Sequence, residues 1–277
     1  MNFETFSPQT KEIEEEDIER QTPSHLVKYG EKVVDIFCKS FSCEGLEHVK
    51  EAKESYPDTP FIISSSHLHN LDVPAALKAL GREFDIQLSG ESVLLEKMKY
   101  LAHRLMISLA GKDNFTPLDY VEDKEGKHGS FNPDNFEQLA GKIADGKTPW
   151  IAAHPFALDG KMRRPGLGAV YLAAKTGAAI LPTALEVKGE SVMEGAVQTV
   201  KNLLERPTAI YHIGEALKLT EVDVTPIEDV IRKRREGKPV SEEEIAWFSE
   251  SVAALRQNAD TLCEAIAALL PPEKSRQ

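Results

Sequence analysis

The densest run of residues able to do chemistry is Ser64-Ser65-Ser66-His67-Leu68-His69-Asn70-Leu71-Asp72. His67 and Asp72 stand five residues apart, which is about 140° round a straight α-helix. They can touch only across a tight, non-helical turn. Given that turn, the Asp72 carboxylate accepts from one imidazole nitrogen and leaves the other to act as a base. General-base help of this kind contributes roughly 10²–10⁴-fold in rate. A His and an Asp at this spacing also arise by chance in many chains, so the elements around them must decide.

Those elements alternate. Residues 60–64 form an apolar run that reads as a buried strand, and residues 73–80 read as a helix. The polar run therefore sits at a strand–turn–helix corner, at the strand end where ligands usually lie in α/β sheets. Further strands are expected at 84–88, 149–153, 179–184 and 208–213, with Pro182 arguing for a strand end or an edge. Helical patterns cover 92–109, 136–144 and 168–175, the last two ending near Gly146 and Gly177. This order predicts an α/β fold, a mostly parallel central sheet flanked by helices.

Helical additions extend both ends. From Ser24 to Phe41 the apolar residues Leu26, Val33, Phe37 and Phe41 recur at helical spacing, with Ser24 as N-cap. That helix packs on the main body, or lies on a membrane surface with Lys28, Lys32 and Lys39 outward; Glu31 and Asp35 weigh against the second use. Ser241-Glu-Glu-Glu244 is a capping box opening a long amphipathic run to about Leu270, stopped by Pro271-Pro272. The expected organisation is an acidic flexible tail at 1–23, an N-terminal helical segment at 24–56, an α/β domain at 57–217 and a C-terminal helical extension at 218–277.

Composition narrows the partners. The 277 residues carry 33 Lys+Arg against 45 Asp+Glu, a net charge of −12. That balance disfavours nucleic acid. No stretch reaches the roughly 18 apolar residues of a spanning helix, and the first residues lack the basic and apolar regions of a secretory signal. Cys38, Cys43 and Cys263 have neither metal-ligand nor disulfide-framework spacing. A cytoplasmic protein is expected.

The segment Phe-Ile-Ile-Ser-Ser-Ser-His-Leu-His-Asn-Leu-Asp-Val-Pro, from Phe61 to Pro74, resembles the first motif of the glycerolipid acyltransferase superfamily, the PlsC-like lysophosphatidate and glycerol-3-phosphate acyltransferases. That motif is a hydrophobic strand, H-x4-D and a short helix; Ser66 stands where the family usually has Asn. Gly111-Lys-Asp-Asn-Phe-Thr-Pro-Leu-Asp-Tyr120 sits at the place of the second motif, with Tyr120 for the expected Arg. Residues 135–150 resemble the helix, Gly and strand before the third motif. Asp159-Gly-Lys161 and Pro165-Gly-Leu-Gly-Ala169 are similar to the segment after it. Ile180-Leu-Pro-Thr-Ala184 resembles the fourth motif, and Arg206 to Leu217 the closing strand with its Gly-Glu turn. The order of these pieces carries the resemblance, since only the first is specific. The third motif departs: the family writes F-P-E-G, and here the stretch is Ala152-Ala153-His154-Pro155-Phe156-Ala157-Leu158, with His154 in place of the Glu.

The resemblance implies a glycerol-3-phosphate acyltransferase-like fold over 57–217. It implies transfer of a fatty acyl group from an acyl-CoA or acyl-carrier-protein thioester to a hydroxyl of glycerol 3-phosphate, lysophosphatidate or a related acceptor. His67 would be the base and Asp72 its partner, with no metal and no cofactor. Ser66, His154, Lys161, Arg163 and Arg164 would hold substrate. The two arginines can grip phosphate oxygens bidentately; a solvated basic turn is the plainer account of them, as a satisfied structural histidine is of His154. Membrane contact would be peripheral. The altered third motif leaves the acceptor open.

Two other classes fit some of the same residues. His67, His69 and Asp72 could hold Zn²⁺ for hydrolysis, although the common H-x-H-x-D-H pattern places its Asp one residue earlier and adds a His. A non-catalytic lipid- or carrier-binding homologue fits the altered third motif and Tyr120, but leaves the joint presence of His67 and Asp72 without a reason. Arg232-Lys-Arg-Arg235 offers a dock for an acidic carrier protein, or is a helix end favoured by the macrodipole.

Overall fold

Phe61–Ser65 is buried at every residue, as befits a strand covered on both faces. It lies at the centre of a seven-stranded sheet. The computed structural model describes residues 22, 24–90, 108, 112–118, 121–122, 128–130, 133–154, 161–188 and 206–274. In chain order the elements are α1 (Ser24–Phe37), β1 (Ser40–Glu44), α2 (Leu46–Ser55), β2 (Phe61–Ser65), α3 (Asp72–Leu80), β3 (Ile86–Gly90), β4 (Phe115–Pro117), β5 (Val121–Glu122) and β6 (His128–Ser130). There follow α4 (Pro133–Ala144), β7 (Thr148–Ala152), α5 (Gly168–Thr176), β8 (Ala179–Lys188), β9 (Thr208–Ile213), α6 (Thr225–Arg235) and α7 (Glu242–Ala268).

The sheet order is β1-β9-β8-β2-β7-β3-β4, with β5 and β6 paired apart from it. Strands β8, β2, β7, β3 and β4 run parallel. β9 is antiparallel to β8, and β1 is parallel to β9. The expected α/β architecture, a mostly parallel sheet between helices, is what the chain builds. Alternation along β2 sorts its side chains into two cores. Phe61 and Ile63 pack with Trp150, Leu181 and Tyr211 and with Leu26, Val34 and Leu77 of α1 and α3. Ile62 points the other way, toward Ile151, Ile180 and residues of α4 to α7 such as Leu139, Leu172, Ile227 and Leu262.

Three expectations change or fall outside the described residues. The helical pattern does not reach Phe41: α1 stops at Phe37, and Ser40–Glu44 becomes the edge strand β1, aligned with β9 from Ser40–Thr208 to Glu44–His212. The segment 24–56 therefore lends a strand to the main sheet. Five residues with Phe41 and Cys43 half-buried between exposed neighbours are too short a run for periodicity to separate strand from helix. The helical pattern at 92–109 lies outside the described residues except for residue 108. So does the acidic tail except for Thr22, which is buried and tied to Phe84 and Ile86 through its hydroxyl.

Pro182 is also placed differently from expectation. β8 is an interior strand, between β9 and β2. The Gly214 N–H donates to the Pro182 carbonyl at 2.9 Å, but proline has no N–H to return. β9 ends beside it, at Ile213. The chain then bulges past the ring and pairs again at Leu217, which exchanges both backbone bonds with Ile180 at 2.8 and 2.9 Å. Gly214 suits this place because a Cβ would stand 3.1 Å from Pro182 Cγ.

At the far end, the capping box forms as expected. Ser241 Oγ accepts from the Glu244 N–H at 3.2 Å, and Glu244 accepts from the Ser241 N–H at 3.0 Å. α7 starts there and packs on the β8 face of the sheet.

Gly45 joins β1 to α2 with φ +82°, and a Cβ there would lie 2.0 Å from the Ile213 carbonyl oxygen. Gly45→Ala is expected to destabilise the fold by more than about 2 kcal/mol. Urea unfolding reads this as a lowered midpoint; a midpoint equal to wild type would contradict it.

Candidate active site

β2 carries the three serines to its C-terminal end, where the backbone ladder runs out. The last rungs are the Ala153 N–H to the Ser65 carbonyl at 2.8 Å and the Ser66 N–H to the Thr183 carbonyl at 3.2 Å. The chain then leaves the strand direction and enters α3 at Asp72. The Asp72 N–H donates to the His69 carbonyl at 3.1 Å and closes the turn. This is the non-helical corner that the His–Asp spacing requires.

Across that corner, His67 Nδ1 lies 3.2 Å from Asp72 Oδ2. The same oxygen accepts the His69 backbone N–H at 2.9 Å. His69 is itself fixed, because its Nδ1 accepts from the Leu71 N–H at 3.0 Å; its ring proton therefore sits on Nε2. Asp72 is fully buried, while the His67 side chain is 29% exposed. A buried carboxylate needs donors, and here it receives a ring N–H and a backbone N–H. The Trp150 ring meets the His67 ring edge-on, with centroids 5.8 Å apart and planes at 78°. The result is a carboxylate sealed inside and an imidazole that reaches solvent, a geometry in which the ring could exchange a proton with a group outside the fold.

Behind the pair lies a buried polar layer. The Tyr211 hydroxyl donates to Thr183 Oγ1 at 3.0 Å. Burial drives that hydroxyl far above its ordinary titration range, against the pull of the Thr183 bond, and the nearby Asp72 charge adds to the rise. Tyr211 therefore stays protonated and remains a donor. Asp72 Oδ1 and the hydroxyls of Ser64, Ser65 and Ser66 are buried with no hydrogen-bond partner among the described residues.

The expected site residues divide into two groups. Ser66, His67, Asp72 and His154 come together. Ser66 is wholly buried; His154, just past β7, is 2% exposed, and its Nε2 accepts the His67 backbone N–H at 3.5 Å. Lys161, Arg163 and Arg164 are exposed. Their segment returns to the sheet at Gly166, whose N–H donates to the Ala153 carbonyl at 2.8 Å, one residue from His154. Tyr120 and residues 155–160 lie outside the described residues. Among the described residues, no three His, Cys, Asp or Glu side chains are grouped to hold a metal. Of the three residues His67, His69 and Asp72, Nδ1 of His69 faces the Leu71 amide, and Asp72 Oδ2 is shared by His67 and the His69 amide.

The basic run on α6 is used within the fold. Arg232 pairs with Asp229, Lys233 with Glu244, and Arg235 with Asp134 at 2.8 Å, while Arg234 lies over the Phe248 ring at 5.7 Å. No helix among the described residues is long and apolar enough to cross a membrane. Nothing in the sequence itself marks Trp150, Tyr211 or the His69 amide as part of the site. Trp150 and Tyr211 sit inside apolar strand runs where nothing local separates a site wall from core.

No family model matches the chain, and no curated protein does. Among solved structures the chain is similar to the crystal structure of the 1-acyl-sn-glycerophosphate (LPA) acyltransferase PlsC from Thermotoga maritima. The match has 15% identity and a TM-score of 0.48, and covers 86% of this chain and 78% of that one.

Cys43 on β1 is half-buried, and its thiol is pushed up to about 11 by burial and by the Glu44 and Glu47 charges. It therefore stays a thiol at neutral pH and makes a poor nucleophile. At pH 8 iodoacetamide is expected to modify Cys43 on the order of a thousandfold more slowly than a free thiolate. Peptide mass spectrometry over a time course checks this, and labelling as fast as for a small-molecule thiol would contradict it.

Proposed function

We propose that this chain is a thioester-dependent O-acyltransferase of the glycerolipid type. The observation that carries the reading is the His67–Asp72 pair, 3.2 Å apart at the end of a parallel strand, with the carboxylate buried and the imidazole partly exposed. The motif order from residue 60 to residue 217 supports it.

In this proposal His67 Nε2 takes the proton from an acceptor hydroxyl. The acceptor oxygen attacks the thioester carbonyl of an acyl-CoA or acyl-carrier protein and forms the new C–O bond. The tetrahedral intermediate collapses, the C–S bond breaks, and the thiolate leaves with the proton that His67 returns. Asp72 keeps the Nδ1–H tautomer and stabilises the imidazolium while it lasts. No acyl-enzyme, metal or cofactor enters these steps. The acceptor is a glycerol phosphate, a lysolipid or a related alcohol. Lys161, Arg163 and Arg164 supply the cations for its phosphate, with Ser66 and His154 beside the dyad. A bilayer that supplies such lipids is met at its surface.

Thiol release from acyl-CoA and acyl-carrier protein tests the proposal, with glycerol 3-phosphate, lysophosphatidate and simple alcohols as acceptors. His67→Ala is expected to lose roughly 10²–10⁴-fold in acceptor-dependent turnover, with donor binding kept. Near-wild-type turnover in that variant would overturn the base assignment. Donor binding without release under any pairing would favour a lipid- or carrier-binding role instead.

Arg163→Ala and Arg164→Ala are expected to raise the acceptor KM about tenfold or more each, with kcat little changed. Unchanged KM values would return these residues to an ordinary solvated turn.

A further inference from the structure

Among the described residues, the backbone ladder between β2 and its neighbours runs to Ser65 and Ser66. Ser65 is held by the Ala153 N–H from β7, and Ser66 by the Thr183 carbonyl on β8. His67 is the next residue, and by then both neighbouring strands have offered their last rungs. Its backbone N–H is met by a side chain, Nε2 of His154 at 3.5 Å. His154 is placed for this because residues 153 and 154 leave β7 alongside residues 66 and 67 leaving β2, the two strands being aligned through Ile63–Trp150 and Ser65–Ala152.

This contact sets three requirements. An Nε2 that accepts must be unprotonated, so His154 carries its ring proton on Nδ1. The residue must stay out of water, and it is 2% exposed. Its ring must also be held from the β7 side, because the contact fixes the His67 backbone only if His154 is fixed. The His67 imidazole is then defined at three points: the backbone N–H by His154, Nδ1 by Asp72, and the ring edge by Trp150. Two of these hold the ring and one holds the main chain from which it hangs.

We infer that His154 is a positioning residue that continues the β2–β7 ladder with a side chain and so sets the direction of the His67 imidazole. This rests on the acyltransferase reading for its kinetic consequence, but not for its structural one. His154 then acts on the rate through His67 and contributes little to holding the acceptor.

The test compares His154→Gln, whose side-chain oxygen can still accept, with His154→Leu, which cannot. In ¹⁵N-labelled full-length protein, the wild-type His154 ring is expected to show the Nδ1–H tautomer. The His67 amide is expected to resist hydrogen exchange in wild type and in the Gln variant, and to lose that protection in the Leu variant while other β2 amides keep theirs. In acyl transfer, His154→Leu is expected to lower kcat between about tenfold and a hundredfold with the acceptor KM held, and His154→Gln to recover most of it. Equal His67 protection in both variants, or an Nε2–H tautomer for His154, would overturn the inference whatever the enzyme's activity. A rise in acceptor KM alone in the Leu variant would also overturn it, and would make His154 an acceptor-binding residue. If wild type transfers no acyl group, the functional proposal fails and the exchange and tautomer measurements still decide this one.

Discussion

Asp72 has no exposed surface, and a carboxylate taken wholly out of water must be met by donors. The end of β2 is shaped by that requirement. One oxygen receives both the His67 ring and the His69 amide. For a ring and a main-chain group two residues apart to reach one atom, the chain must turn sharply as soon as it leaves the strand. The turn in turn puts Asp72 at the first position of α3, where the helix field favours a negative charge. The imidazole is left at the boundary with solvent because its anchor is on the inner side.

The sheet supplies what the turn cannot. β7 and β8 flank β2 and decide where its ladder stops, and therefore where the turn begins. Each also sends a side chain to the site: Trp150 from β7 against the His67 ring, and Thr183 from β8 under the Tyr211 hydroxyl. The two cores on either face make these strands rigid, with Ile62 and Ile63 fully buried in opposite directions. A loop alone would not hold the imidazole in one orientation against the carboxylate.

Much of this was legible in the residues. The strand at 208–213 and the capping box at Ser241 match the structure, because a short β-branched and aromatic run and a Ser-x-x-Glu pattern are both local signals. The His67–Asp72 contact was legible as a condition: the spacing says that a tight turn is needed, and the structure has it. What was hidden depended on partners distant in sequence. β1 is a strand because β9, more than 160 residues later, lies beside it. The pairing of the Arg232–Arg235 run depends on where α4 and α7 pack. His154 next to the His67 amide follows from the alignment of β2 with β7, which no single segment encodes.

Pro182 has a consequence for how the sheet assembles. A strand sliding along β8 toward its beginning would set a backbone carbonyl opposite a nitrogen that has no hydrogen, and that carbonyl would be buried without a partner. In the native register β9 finishes at Ile213, and the chain steps outward at Gly214, where the absence of a side chain leaves room for the ring. The proline thus serves as a mechanical stop. It makes frame-shifted versions of the β8–β9 pair costly while leaving the native one intact, and so fixes the height at which Tyr211 meets Thr183 in the wall behind Asp72.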